Sequence, residues 1–457
     1  MKMKKIIVFL LLFAMAFSLV SCKDEKSGEG ETTEATTEAT TEATTEGLEE
    51  GTLCIASDGK SDYTIVYSDT YGDYAILTAE LIRDKLLEVT GAELTIKKDS
   101  EATQASEYEI VIGRTEREGK EISFDREGQN WTNEKIHIGI YENRLFMTAK
   151  TDVALYEDIS FIMDKMVVYY RDGELFMNDN RIEKLSEAVP VDAISIISQN
   201  LKGKDGSGNN AFELRKPRLM NEFTYYSPDI IGFCENGVSW KAILDEELEG
   251  YATFVDERWP TDEETWRNLI YYRTDRLNIV DSGVIWLSYT PEEGRTTVPG
   301  ARHYRTANWA IFEVKTTGTQ FVYMATHFDA YGGTNVRAAE ADICIKYLAK
   351  YFEEYPVILS GDLNGGPNST ELLHLKTKFD DAKDVAVYGL TGDIGAGNGF
   401  SIVEPEYERS SDFILASKGD MQKVIIHRIL NDERFGEFVV GGFTSDHYGV
   451  YSRILLT

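Results

Sequence analysis

Apolar positions along this chain fall into two regimes. Between about Gly51 and Ala188 they switch between the strand and helix periods: Tyr63–Tyr67 is a short apolar run, Tyr74–Val89 sets Leu77, Leu81, Ile82 and Leu86 at helical spacing, and Leu94–Lys97 and Tyr108–Gly113 alternate like strands. Ile136–Ile140 and Arg144–Ala149 predict a hairpin turning at Glu142-Asn143, followed by a helix through Ala154, Tyr156, Ile159, Ile162 and Met163. That order predicts a small layered sheet-and-helix domain over residues 51–190. From about Val191 the pattern becomes a series of short apolar runs, each closed by a polar residue.

The clearest of these runs is Pro356-Val-Ile-Leu-Ser-Gly-Asp-Leu-Asn364. Four to eight apolar residues closed by a turn read as a buried strand, which puts Asp362 and Asn364 at its end. Taken alone, Asp362 reads more simply as a turn residue bonding its own backbone. The accompanying runs shift that balance. Ile194-Ser-Ile-Ile-Ser-Gln-Asn200 ends in an amide, Pro228-Asp-Ile-Ile-Gly-Phe-Cys-Glu235 in a carboxylate and Phe321-Val-Tyr-Met-Ala-Thr-His327 in a histidine. Ser411-Asp-Phe-Ile-Leu-Ala416 opens with Asp412, and Phe443-Thr-Ser-Asp-His-Tyr448 holds the adjacent pair Asp446-His447.

The chain has 457 residues, 42% of them hydrophobic, with 25 Tyr and 21 Phe, enough for two or three domains with sizeable cores. Its net charge is −31; residues 23–50 contribute −8, and the stretch from Asp192 onward still carries 40 acids against 26 bases. Such a surface repels polyanions and offers no basic stripe, which disfavours nucleic acid as a partner. Lys2, Lys4 and Lys5 precede the apolar run Ile6–Val20, too short to span a bilayer comfortably. Leu19-Val-Ser-Cys22 resembles the bacterial lipoprotein signal, so residues 1–22 are expected to direct export and Cys22 to carry the lipid that anchors the chain to the outer face of a bacterial membrane. An uncleaved anchor or a plain secretory signal is the alternative. The Thr/Glu repeats of residues 23–50 lack apolar periodicity and predict an extended tether. Cys54, Cys234 and Cys344 are an odd set without metal-site spacing and read as small buried hydrophobes.

In this order the strand ends resemble the endonuclease/exonuclease/phosphatase superfamily, metal-dependent phosphoesterases of the DNase I-type fold. The resemblance covers residues 191–457. It extends to Asn268-Leu-Ile-Tyr-Tyr-Arg-Thr-Asp-Arg276, to Asp281-Ser-Gly-Val-Ile-Trp-Leu-Ser288 and to Asn308-Trp-Ala-Ile-Phe312. It implies an α/β fold: a four-layered sandwich of two packed β-sheets flanked by helices, behind the smaller N-terminal α/β domain. The phrases AELIRDKLLEVTGAEL, YEIVIGRTE and ALYEDISFIMDKM of that first domain are similar to non-catalytic domains preceding glycoside hydrolase barrels. They bring no catalytic residue, and leave a glycan-binding role and a mere spacer equally open.

Carried over from the superfamily, Glu235 is the principal ligand of a divalent ion, with Asn200 and Asp446 supporting it. Oxygen ligands favour Mg²⁺ or Mn²⁺ over Zn²⁺. Asp362 positions the attacking water and Asn364 binds the phosphate. His447, held by Asp412, serves as general base or transition-state donor, and which of Asp362 and His447 takes the proton stays open. His327 contacts the phosphate or protonates the leaving group. Tyr272 and Arg273 reach the phosphate, with core packing an equal alternative for Tyr272. Lys202 departs from the pattern, standing where the family commonly has an acid. Gly389–Ser401 reads as a mobile rim loop and Asp245–Glu264 as a solvated acidic face. The expected activity is hydrolysis of a phosphodiester or phosphomonoester outside nucleic acid; an extracellular nuclease and a catalytically silent glycan-binding lipoprotein are the alternatives.

Overall fold

A computed structural model describes residues 51–72, 74–102, 106–113, 115, 136–149, 151–254, 268–389, 393–403, 405–431 and 442–457. The signal segment with Cys22, the tether over 23–50 and residues 255–264 of the acidic stretch lie outside them. No helix among the described residues is long and apolar enough to cross a membrane.

The described part of the first regime folds largely as its periodicity predicts, with one further helix, Asp179–Glu187, that it did not. Thr95–Lys98, Thr64–Tyr67, Glu109–Ile112 and Arg144–Thr148 run parallel side by side, and His137–Tyr141 closes the sheet through the two-residue turn between Tyr141 and Arg144. Tyr74–Thr90 and Asp152–Met166 are helices. They bury Ile82, Leu86, Leu155 and Ile159 against Ile65, Ile110 and Leu145; each such side chain contributes roughly 1.5–3 kcal/mol of burial. A second, three-stranded sheet of Leu53–Ser57, Glu174–Met177 and Tyr170–Arg171 was not among the expected elements. Its cue was Asp172-Gly173, both with φ above +50°, the pairing a tight hairpin turn selects.

The second regime builds two sheets of seven and six strands. Ile194, Ile196, Ile230, Phe312, Tyr323, Ile358, Ile414 and Ile454 fill the space between them. Their alternate neighbours face outward: Ile197, Ile231 and Phe233 meet Leu219, Phe223, Trp240 and Leu244 of the helices Phe212–Tyr226 and Val238–Glu247. Val322, Met324 and Leu359 meet Ala341, Cys344 and Leu348 of Thr334–Leu348. The result is helix, sheet, sheet, helix, four layers set by the two-residue period of strands. Gly232 leaves room for the facing sheet, since a Cβ there would lie 2.0 Å from the Tyr323 hydroxyl.

The described residues form one compact unit. Tyr74, Val153 and Tyr156 of the N-terminal helices share a core with Ile197, Tyr226 and Tyr451 of the sandwich. Polar contacts reinforce the seam: Arg453 donates to Glu157 at 2.6 Å and to Asp158 at 3.2 Å, and the Tyr451 hydroxyl donates to Glu157 at 2.6 Å. Cys234 and Cys344 are buried and Cys54 is partly so, all three reduced.

Candidate functional site

Register brings the polar strand ends together. Ala193–Asn200 and Ile230–Cys234 are parallel, with Asn200 beside Cys234 and Glu235 the next residue. In the facing sheet, His327, Asp362 and Asp412 stand in one row across three strands. Gly449–Leu456 runs antiparallel to Ala193–Asn200, so Asp446 and His447 enter from the same edge. Six segments far apart in sequence therefore deliver their ends to one rim.

Tight turns aim them inward. Lys202, Glu235 and Asn364 have φ of +56°, +55° and +50°, left-handed values that cost a non-glycine residue roughly 1–3 kcal/mol and cluster at working sites. Before Asp362 the chain needs glycine: Gly361 has φ +144°, and a Cβ there would stand 1.7 Å from the Thr326 carbonyl oxygen.

Asn200 is the hub. Its Nδ2 donates to Glu235 Oε1 at 3.2 Å and to Asp362 Oδ2 at 3.1 Å, while its Oδ1 accepts the Lys202 backbone N–H at 3.0 Å. Asn200 stands where a metal ligand was expected, between Glu235 and Asp362. Its carboxamide oxygen faces a backbone donor, and the nitrogen, which cannot ligate a cation, faces the carboxylates. Asp362 also accepts the Asn364 N–H at 2.9 Å through Oδ1, and Asn364 Nδ2 donates to the Phe328 carbonyl at 2.9 Å, fastening the loop that follows His327. Asp446 pairs with the Lys202 ammonium at 2.9 Å.

The two histidines are in opposite states. His447 Nδ1 lies 2.7 Å from Asp412 Oδ2. Burial works against its imidazolium, but attraction and hydrogen bonding from Asp412, with Asp362 and Asp446 beyond, push its pKa up to about 10. His327 is held well below its ordinary value, first by burial and then by the Arg305 guanidinium. Arg305 Nη1 is 3.1 Å from His327 Nδ1; because Arg only donates, Nδ1 must accept and the proton sits on Nε2, which faces Asp362 Oδ2 at 3.6 Å. Arg305 escaped the sequence reading; its cue was a lone cation heading a strand whose neighbour ends in histidine.

Burial raises the Glu235 pKa; the Asn200 bond opposes this, and the carboxylates of Asp362 and Asp446 add to it. Such crowding of like charge is what a bound cation relieves. Ligand atoms of Glu235, His327 and Asp362 lie within 4.8 Å of one another, as do those of Asp362, Asp412 and His447. With the Asp412–His447 pair closed on itself, the first group is the better metal seat. Carboxylates dominate it and it holds no thiolate, so the residues suit Mg²⁺ or Mn²⁺.

Tyr272 and Arg273 do not belong to this rim. Ile270–Arg273 runs antiparallel to Ile230–Cys234, setting Tyr272 opposite Ile230 and Arg273 beside Asp229, at the other end from Glu235. Arg273 pairs with Asp275 at 2.6 Å and Tyr272 packs on Phe312. The near end of that strand offers Asn268, whose Nδ2 donates to the Thr306 carbonyl at 2.6 Å. The described part of Gly389–Ser401 is tied to the site: Gly397 bridges to His447, and the N–H groups of Asn398 and Gly399 both donate to the Asp446 carbonyl.

No family model matches the sequence, and neither does any curated protein. Solved structures do match the fold. An endonuclease/exonuclease/phosphatase from Bacteroides vulgatus superposes with a TM-score of 0.52 at 23% identity, over 58% of this chain and 99% of its own. A mannosyl-6-phosphatase from Bacteroides thetaiotaomicron gives 0.52 at 24% identity, over 57% and 100%. A conserved Enterococcus faecalis protein of unknown function gives 0.51 at 20%, over 58% and 100%. The fold is thus the DNase I-like sandwich of the endonuclease/exonuclease/phosphatase structures, as the strand ends implied.

Proposed function

We propose that this protein is an exported, divalent-metal-dependent phosphoesterase acting on a phosphodiester or phosphomonoester outside nucleic acid. The observation that carries the reading is the convergence of Glu235, Asp362, Asp412, Asp446 and His447 from four separate strand ends onto one rim, with Asn200 of a fifth bridging Glu235 and Asp362. Glu235 and Asp362 would hold Mg²⁺ or Mn²⁺, with His327 beside them. Such an ion, when bound, neutralises charge on the phosphoryl oxygens.

The remaining chemistry belongs to the side chains. His447, its ring held by Asp412 and its pKa raised by that carboxylate, is read as the imidazolium that donates toward the phosphoryl group. That leaves Asp362 to orient the attacking water and accept its proton. The neutral His327 presents Nε2–H as a second donor, and Asp412 keeps the His447 ring turned and charged.

Export rests on the Lys-rich start, the apolar run and the Cys22 motif, and the acidic balance disfavours a polyanionic substrate. The neighbouring mannosyl-6-phosphatase makes sugar phosphates the first class to try. The test is turnover by the purified protein, with Mg²⁺ or Mn²⁺ against EDTA, on bis-p-nitrophenyl phosphate, p-nitrophenyl phosphate, hexose phosphates, inositol phosphates, sphingomyelin and DNA. Metal-dependent hydrolysis abolished in His447→Ala supports the reading; a folded protein silent on the whole panel, or one as fast in EDTA, refutes it.

A further inference from the structure

Lys202 is the element of the rim that the reaction outlined above leaves unused. Its turn is built for it: φ is +56°, its N–H is held by Asn200 Oδ1 at 3.0 Å, and the next N–H, of Gly203, donates to the Glu235 carbonyl at 3.1 Å. The side chain is 36% exposed, yet its ammonium bonds Asp446 Oδ2 at 2.9 Å in the wall of the site. Four carboxylates meet here: Glu235, Asp362, Asp412 and Asp446. The charge of Asp412 is matched by His447 at 2.7 Å and that of Asp446 by Lys202. Glu235 and Asp362 remain, two negative charges joined through the neutral Asn200 amide. Two carboxylates hydrogen-bonded to no cation match one divalent ion.

We propose that Lys202 is a positioning residue that acts as the site's resident cation. Its ammonium withholds Asp446 from the metal and limits the Glu235–Asp362 cluster to a single divalent ion, itself supplying the positive charge that a second ion would bring. This rests on the metal-dependent reading above. A merely solvated ion pair would contribute little and would leave metal binding unchanged on its removal, because exposed pairs are weak.

The test is calorimetric titration of the metal-free, full-length protein with Mn²⁺ alone, with stoichiometry confirmed by the spectrum of the bound ion. The wild type binds one ion per chain. Lys202→Met frees Asp446 and tightens that ion by about tenfold, as expected from removing a like charge a few ångströms away. Lys202→Asp adds a carboxylate and admits a second ion. Lys202→Arg keeps the charge and behaves as wild type, so the proposal stays testable if the acidic variant folds poorly. Two ions in the wild type, or Met and Asp variants indistinguishable from it, overturn the role of Lys202 while leaving the phosphoesterase reading intact. A wild type that binds no ion overturns both, and Glu235→Gln separates the cases, since it abolishes binding only if the ion sits where the phosphoesterase reading puts it.

Discussion

Arg453 and Lys202 are both cations set among carboxylates, and their surroundings could hardly differ more. At the seam between the N-terminal layer and the sandwich, Arg453 is buried between Glu157 and Asp158; the Tyr451 hydroxyl and the Ile136 N–H bond the same carboxylates, so the cluster is closed. At the rim, Glu235 and Asp362 bond a neutral amide instead of a cation, Glu235 is pushed above its ordinary pKa, and three residues hold left-handed backbone. The seam spends its charges on mutual bonds; the rim keeps part of its charge unsatisfied. On the proposed reading, a site that attracts a cation and a phosphate is held away from its own stability optimum, which the rest of the fold has to offset.

The largest effect expected from breaking this contrast is at the rim. Glu235→Gln should cut turnover by about a thousandfold, the scale of losing one group that stabilises transition-state charge. The same change should leave the thermal midpoint unchanged or raised, because it relieves like-charge crowding. A large fall in the midpoint would show that Glu235 is structural. Arg453→Met should do the reverse. Breaking one partner out of a buried pair costs about 3–5 kcal/mol, leaving Glu157 and Asp158 uncompensated. Its unfolding midpoint should drop clearly in calorimetry, while turnover per folded molecule stays within about twofold. If turnover falls with it, the seam reaches the chemistry.

A subtler distinction lies in pH. His447 titrates near 6.5 when unfolded and near 10 in the fold, so its contribution to stability is complete below about pH 6.5 and is lost as pH rises through 10. Activity that needs the imidazolium should fall over the same alkaline limb. Asp412→Asn removes the main attraction and should move that limb to lower pH; a limb that stays in place would assign the high-pH loss to another group. The smallest effect is predicted for Tyr272→Phe and Arg273→Lys, each within about twofold of wild-type kcat/KM, because both residues sit at the other end of the sheet. A tenfold loss for either would contradict the strand register.

Much of this was legible in the amino-acid order because buried strands write themselves as short apolar runs, and a polar residue closing such a run has few places to go but the end of its sheet. Asn200, Glu235, His327 and Asp362 close such runs, whereas Asp412 opens one and His447 precedes one; over residues 51–190 the helix and strand periods indicated the helices Tyr74–Thr90 and Asp152–Met166 and five strands, and missed the helix Asp179–Glu187 and the three-stranded sheet. Direction was another matter. Nothing in Asn268–Arg273 says which end of its strand lies beside Glu235; the antiparallel pairing does, and it puts Asn268 near the rim and Arg273 away from it.

Partners were equally hidden. Whether the Asn200 amide turns its oxygen or its nitrogen inward depends on the Lys202 N–H. The neutral state of His327 depends on Arg305, 22 residues earlier, and the seam depends on Arg453 meeting Glu157 across 296 positions. Periodicity is a property of neighbours along the chain and can be read there. Charge state, tautomer and pairing belong to groups that become neighbours only in space, through strand register and the stacking of the two sheets, and so they were settled by the fold.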